Sequence, residues 1–146
     1  MSHTLATLEA ITPLPLEQHW PAAQAYVGRE YVPGQYDCAH LAADVQAQVF
    51  GRAVHLPAVH RCGRAGQGAQ IRALRDELAT PIAQAQHGCA VLLRSACGAW
   101  HIGTVFVQGS VTWVLHNSAR MGSAALTRLA DFGRLGLAVE GCYAWK

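Results

Sequence analysis

The chain contains no apolar run long enough to cross a bilayer, no block of basic residues and no cysteine pair spaced C-x-x-C. Each absence removes a class of protein. A spanning helix needs roughly 18 or more apolar residues in succession, so no membrane span is expected. The eleven Lys and Arg are scattered singly and the net charge is only +2. The electrostatic footprint of a nucleic-acid binder is therefore missing, and no nucleic-acid partner is expected. Without C-x-x-C, the zinc-ribbon and redox-motif readings lose their usual signature. The five cysteines are an odd number, so at least one thiol is free in any pairing scheme. The Met1–Leu16 stretch lacks the basic region and apolar core of a secretory signal. The expectation is a protein made in the reducing cytoplasm. Charged residues make up only 14% of the chain and hydrophobic ones 51%, which argues against disorder. A chain of 146 residues is expected to form one domain that buries roughly 68–70% of its unfolded surface. There is no internal repeat and no low-complexity segment.

What is present centres on Tyr36-Asp37-Cys38-Ala39-His40-Leu41. Asp37 suits a helix N-cap, and Leu41, Val45 and Val49 recur at the helical period. Gly51 suits the left-handed cap beyond the C-terminus. The spacing predicts a helix over about 37–50, with Cys38 in its first turn. A thiol there sits at the positive end of the helix dipole, which favours the thiolate.

The remaining chain reads in order. Residues 1–15 form an arm or short strand. Leu16 to Val27 is a helix with Trp20, Ala23 and Val27 on one face and Pro21 tolerable in its first turn. Gly28 to Gln35 is a loop. Residues 51–68 are irregular and carry His55 and His60, both expected to be exposed. Gln70 to Ala79 reads as a helix ended by Pro81. The period then changes. Cys89 to Arg94, Trp100 to Val107 and Val111 to His116 read as three strands of a meander. Leu126 to Leu129 is a short strand, Ala130 to Leu135 a helical turn, and Leu137 to Trp145 a last strand interrupted by Gly141. Helices followed by an antiparallel sheet give an α+β layout.

Three residues carry candidate chemistry: Cys38, His101 and His116. With 108–110 as the turn, His101 and His116 stand directly opposite each other on paired strands. A thiol, an imidazole to take its proton and a second imidazole to orient the first follow the logic of a hydrolytic triad. The Cys38 N–H could hold an oxyanion, with the Tyr36 hydroxyl as a second donor. Alternatives stand beside this. A cysteine on a helix is commonly a small buried hydrophobe. A Cys-His-His set could bind zinc, with a fourth ligand missing. His40 does not add to that set, because it lies on a different helix face from Cys38. Cys62, Cys89, Cys97 and Cys142 read as structural thiols, Trp100 and Trp113 as sheet packing, and Asp44 as a solvated or loop-bonding carboxylate.

The Tyr36–Leu41 segment resembles the cysteine motif of NlpC/P60 peptidases. Trp100-His101-Ile102-Gly103-Thr104-Val105-Phe106 resembles that family's histidine strand, and Val114-Leu115-His116-Asn117 the strand that ends in its third catalytic residue. The order, the length and the closing Val139–Trp145 strand resemble phage-type members related to tail-assembly peptidases. The resemblance covers roughly residues 17–146. It implies a papain-like α+β fold and a thiol hydrolase that cuts the peptide stem of peptidoglycan near the γ-D-glutamyl–diamino acid bond. By position it implies Cys38 as nucleophile, His101 as base and His116 as orienting residue, with Tyr36, Asp37 and His40 shaping the substrate or oxyanion site. It implies no cofactor and no metal. The partners it implies are peptidoglycan stem peptides and phage tail proteins, with the protein carried in a virion or delivered to the periplasm by other machinery. Two departures stand out. His40 replaces a small residue, and His87-Gly88-Cys89 replaces the family's Gly-Asp strand start.

Overall fold

The computed structural model describes residues 11–56 and 74–146. The first ten residues of the expected arm, His60 and Cys62, and the start of the expected 70–79 helix lie outside the described residues. Two α-helices come first: α1, His19–Tyr26, entered through a 3₁₀ turn at Leu16–Gln18, and α2, Cys38–Gln48. Six strands follow: β1, Ala79–Ile82; β2, Ala90–Ser95; β3, Trp100–Gln108; β4, Val111–His116; β5, Ala125–Arg128; and β6, Leu137–Trp145. They form one sheet in the order β1-β6-β2-β3-β4-β5, and every pairing is antiparallel. The chain is thus α+β, as the order of its elements predicts.

Helix α1 buries part of the face expected for it, Ala23 and Trp20, but not Val27. His19, Ala23 and Tyr26 face inward, while Val27 is 48% exposed. Val27 is the C-cap, with extended backbone (φ −59°, ψ 130°), so it has already left the helical face. Trp20 packs against the same core, its ring centroid 5.5 Å from that of Trp113.

Helix α2 forms where its caps place it. The Asp37 side chain accepts from the Ala39 and His40 N–H groups, both at 3.1 Å, satisfying two of the donors that a first turn leaves open. At the other end the Arg52 N–H donates to the Gln46 carbonyl at 2.9 Å. Gly51, at φ +67°, makes that reversal possible. Leu41, Val45 and Val49 pack with Phe106 of β3 and Leu115 of β4. Ala42, the next residue around the helix from Leu41, packs with Ala90, Leu92 and Ile102. One helix therefore spans both halves of one sheet face. Truncating Leu41 or Val45 there would cost on the order of 2–5 kcal/mol or slightly less. The opposite face, with Val91, Leu93, Val105 and Val114, is closed by Phe132 from the 3₁₀ segment Leu129–Leu135.

Two local expectations change. Within the described residues the 70–79 helix is one π-type turn, Leu74–Leu78, and Pro81 lies inside β1. Pro81 is tolerated because β1 is an edge strand, where a missing N–H breaks no inner ladder. In β6 the pairing runs Leu92 with Gly141 and then Leu93 with Val139. Glu140 is therefore the extra residue of a β-bulge, which is the interruption anticipated at Gly141.

Candidate functional site

Strand β3 is the spine of the site. The Val105 N–H donates to the Cys89 carbonyl at 2.9 Å, and the Ser95 N–H to the Ala99 carbonyl at 2.9 Å. The odd-numbered residues of this strand therefore bond toward β2, and the even-numbered ones face β4. Pairing with β2 covers Trp100 to Thr104, whereas the ladder with β4 starts only at Thr104 opposite Leu115. The N–H of Ile102 is thus aimed at a position that β4 does not fill. Cys38 packs against the cluster that contains Ile102. The segment that carries Cys38 is fastened to the same end of the sheet. Asn117, one residue past β4 and fully buried, donates from Nδ2 to the Tyr36 carbonyl at 3.2 Å.

On the face shared with Leu93 and Val114, His101 Nε2 lies 2.9 Å from His116 Nδ1. The two residues are not directly opposite, contrary to the expected register. The turn is the two-residue Gly109-Ser110, with Gly109 at φ +62°, the position where a type II′ turn needs a positive φ. The ladder from Gln108–Val111 to Thr104–Leu115, carried one step further, sets Gly103 opposite His116. His101 is thus diagonal to His116, two positions along. A shift of two keeps both side chains on one face, where a shift of one would have separated them. The line continues across the next strand. His116 Nε2 lies 2.8 Å from Thr127 Oγ1 on β5, again on the diagonal, since Thr127 pairs with Val114. Sequence reasoning did not single out Thr127, because only the registers of two ladders bring it to His116.

Gly103 has a role in this packing. A Cβ there would overlap Val114 Cγ1 and lie 3.3 Å from His116 Cβ. Only glycine lets β4 lie this close to β3 with His116 turned toward His101.

The electrostatics differ from the expectation of a dipole-lowered thiol. Burial pushes the Cys38 thiol up to about 11, and the nearby Asp37 carboxylate acts in the same direction. Backbone N–H donors from Ile102, Ala39 and Cys38 pull it down but do not prevail. Desolvation of a thiolate outweighs the positive helix end here. Burial likewise lowers His101 to about 3, with a further contribution from His116, and lowers His116 to about 4. At neutral pH the resting site holds a neutral thiol and two neutral imidazoles.

The other candidates have definite places. The Tyr36 hydroxyl donates to Asp44 Oδ2 at 3.0 Å and accepts from Arg29 Nη1 at 3.1 Å. Its single proton is committed, so it does not supply the anticipated oxyanion donor. Asp44 is accordingly a loop-bonding carboxylate, paired with Arg29 at 3.2 Å. Asp37 is the cap. The His40 ring folds onto it, with Nδ1 2.8 Å from Asp37 Oδ1, and remains about a third exposed at 32%. His55 is exposed. Cys89 is buried and Cys97 exposed. Trp113 packs in the core, and Trp100 lies under the Arg94 guanidinium at 5.1 Å. His87, at the altered strand start, joins a separate pair: its Nε2 lies 2.8 Å from His19 Nδ1. Among the described residues no group of three or more His, Cys, Asp or Glu is placed to hold a metal ion, and no helix is long and apolar enough to cross a membrane.

In comparisons with known proteins, no family model matches the chain, and neither a curated protein nor a solved structure matches it significantly.

Proposed function

We propose that the chain is a thiol hydrolase of the NlpC/P60 type, with a papain-like arrangement of Cys38, His101 and His116. The observation that supports it is the line His101–His116–Thr127, with Cys38 packed against the cluster that holds Ile102, the next residue of the same strand. His101 uses Nε2 on His116, so Nδ1 is the ring nitrogen left for the thiol.

In this reading the neutral thiol attacks a peptide carbonyl as its proton passes to His101 Nδ1. The Sγ–C bond forms, and the C–N bond breaks as the same proton passes to the leaving amine. Water then hydrolyses the thioester, with His101 again as base. The imidazolium exists only in transit. Its Nε2–H donates to the neutral His116 Nδ1, which orients it. Backbone N–H at the start of α2 faces the developing oxyanion. The substrate proposed is the peptide stem of peptidoglycan near the γ-D-glutamyl–diamino acid bond, and phage tail proteins are the proposed partners.

The test is mass spectrometry of purified muropeptides incubated with the parent and with Cys38→Ala. The parent releases stem-peptide products and the variant, equally stable in urea, releases none. Equal cleavage by both would sink the assignment. A second reading, a tail or assembly domain without catalysis, is favoured by the thiol held neutral near 11. It expects no product from the parent.

A further inference from the structure

We infer that Thr127 is a positioning residue that sets which nitrogen of His101 is free to act as base. This rests on the reading of Cys38 and His101 as nucleophile and base. A neutral histidine carries one ring proton, and its tautomer is set by the partner of the other nitrogen. Two directions are open to the line His101 Nε2···His116 Nδ1 and His116 Nε2···Thr127 Oγ1. In one, His101 donates to His116 and His116 donates to Thr127, leaving a lone pair on His101 Nδ1. In the other every proton is reversed and Nδ1 carries hydrogen, so it cannot accept the thiol proton.

The reading of His101 as base requires the first direction. His101 Nδ1 must then be the acceptor, Nε2–H donates to His116 Nδ1, and His116 Nε2–H needs an acceptor at its far side. His116 is fully buried, so water does not supply one, and the Thr127 hydroxyl oxygen does. The threonine touches no reacting atom. It acts two hydrogen bonds away, by making one of two tautomers the satisfied one.

The experiment uses the full chain with ¹⁵N-labelled histidine. Long-range proton–nitrogen spectra report which ring nitrogen of each histidine is protonated. In the parent, His101 and His116 are both expected as Nε2–H. In Thr127→Val, His116 Nε2 loses its acceptor, and both tautomers are expected for the pair. Thr127→Ser is expected to restore a single set. Hydrolysis of muropeptides should follow the spectra: kcat about tenfold or more lower in Thr127→Val, KM within about twofold, and recovery in Thr127→Ser. A parent with His101 protonated at Nδ1, or a Thr127→Val spectrum identical to the parent's, overturns the inference. If the parent cleaves no muropeptide yet the tautomers respond as described, the hydrolase reading fails and the role of Thr127 in setting the tautomer stands.

Discussion

His101 Nε2 meets His116 Nδ1 at 2.9 Å although the two residues are diagonal, not opposite, on paired strands. The contact needs a close approach of β3 and β4, which Gly103 allows. Gly103→Ala is therefore expected to destabilise the protein by about 1–3 kcal/mol through overpacking against Val114. It should also separate the two imidazoles. Urea unfolding checks the first effect, and the histidine nitrogen spectra check the second. A variant with parent stability and parent spectra would show that β4 yields at no cost.

The half-buried Cys38 thiol makes a kinetic prediction. With Cys38 raised to about 11, iodoacetamide should alkylate it slowly at pH 7, and the rate should climb about tenfold per pH unit up to that region, because the thiolate is the nucleophile. Mass spectrometry of the modified peptide over pH 6 to 11 gives the curve. A midpoint between 5 and 7 would mean that the helix end and an imidazole outweigh desolvation.

Asp37 separates cap from charge. Its carboxylate caps α2 through two N–H acceptances and also raises the Cys38 thiol. Asp37→Asn keeps a capping oxygen and removes the charge, so the alkylation midpoint should move below about 11 with little loss of stability. Asp37→Ala removes both and should cost about 0.5–2 kcal/mol. Equal alkylation curves for the parent and Asp37→Asn would show that the carboxylate does not reach the sulfur.

Acid should unfold the protein earlier than its few carboxylates suggest. Burial lowers His101 to about 3 and His116 to about 4, against about 6.5 in an unfolded chain. The unfolded state then binds more protons as pH falls below about 6.5, so stability is full above that value and is lost progressively below it. Each of these two histidines contributes a slope of at most about 1.4 kcal/mol per pH unit. His87, lowered by burial and by His19, works in the same direction. Urea midpoints at pH 7.5, 6 and 5 should fall in sequence, and His116→Gln should flatten the trend. Midpoints constant over this range would contradict the buried neutral state.

The elements that were legible in the sequence are those set by local chemistry. Asp37 as a cap, Gly51 beyond the end of α2 and the Leu41–Val45–Val49 stripe place that helix almost to the residue, because capping and periodicity act within one or two turns. Alternating and apolar runs place β2, β3 and β4 in the same way. The face of α1 was less legible, since whether Val27 stays helical depends on where the chain must turn to meet the sheet.

Sequence alone also named Cys38, His101 and His116 and set the α+β order. Their relationships belong to the tertiary structure. The turn that sets Gln108 opposite Val111 moved the ladder by two positions from the expected register, which local propensity does not decide but strand packing does. The slot at Ile102 exists only because β4 ends before β3 does. Thr127 enters the line only through a third strand. Burial reversed the expectation for the thiol, because the cost of desolvating a charge depends on everything packed around it, and no spacing of residues along the chain encodes that sum.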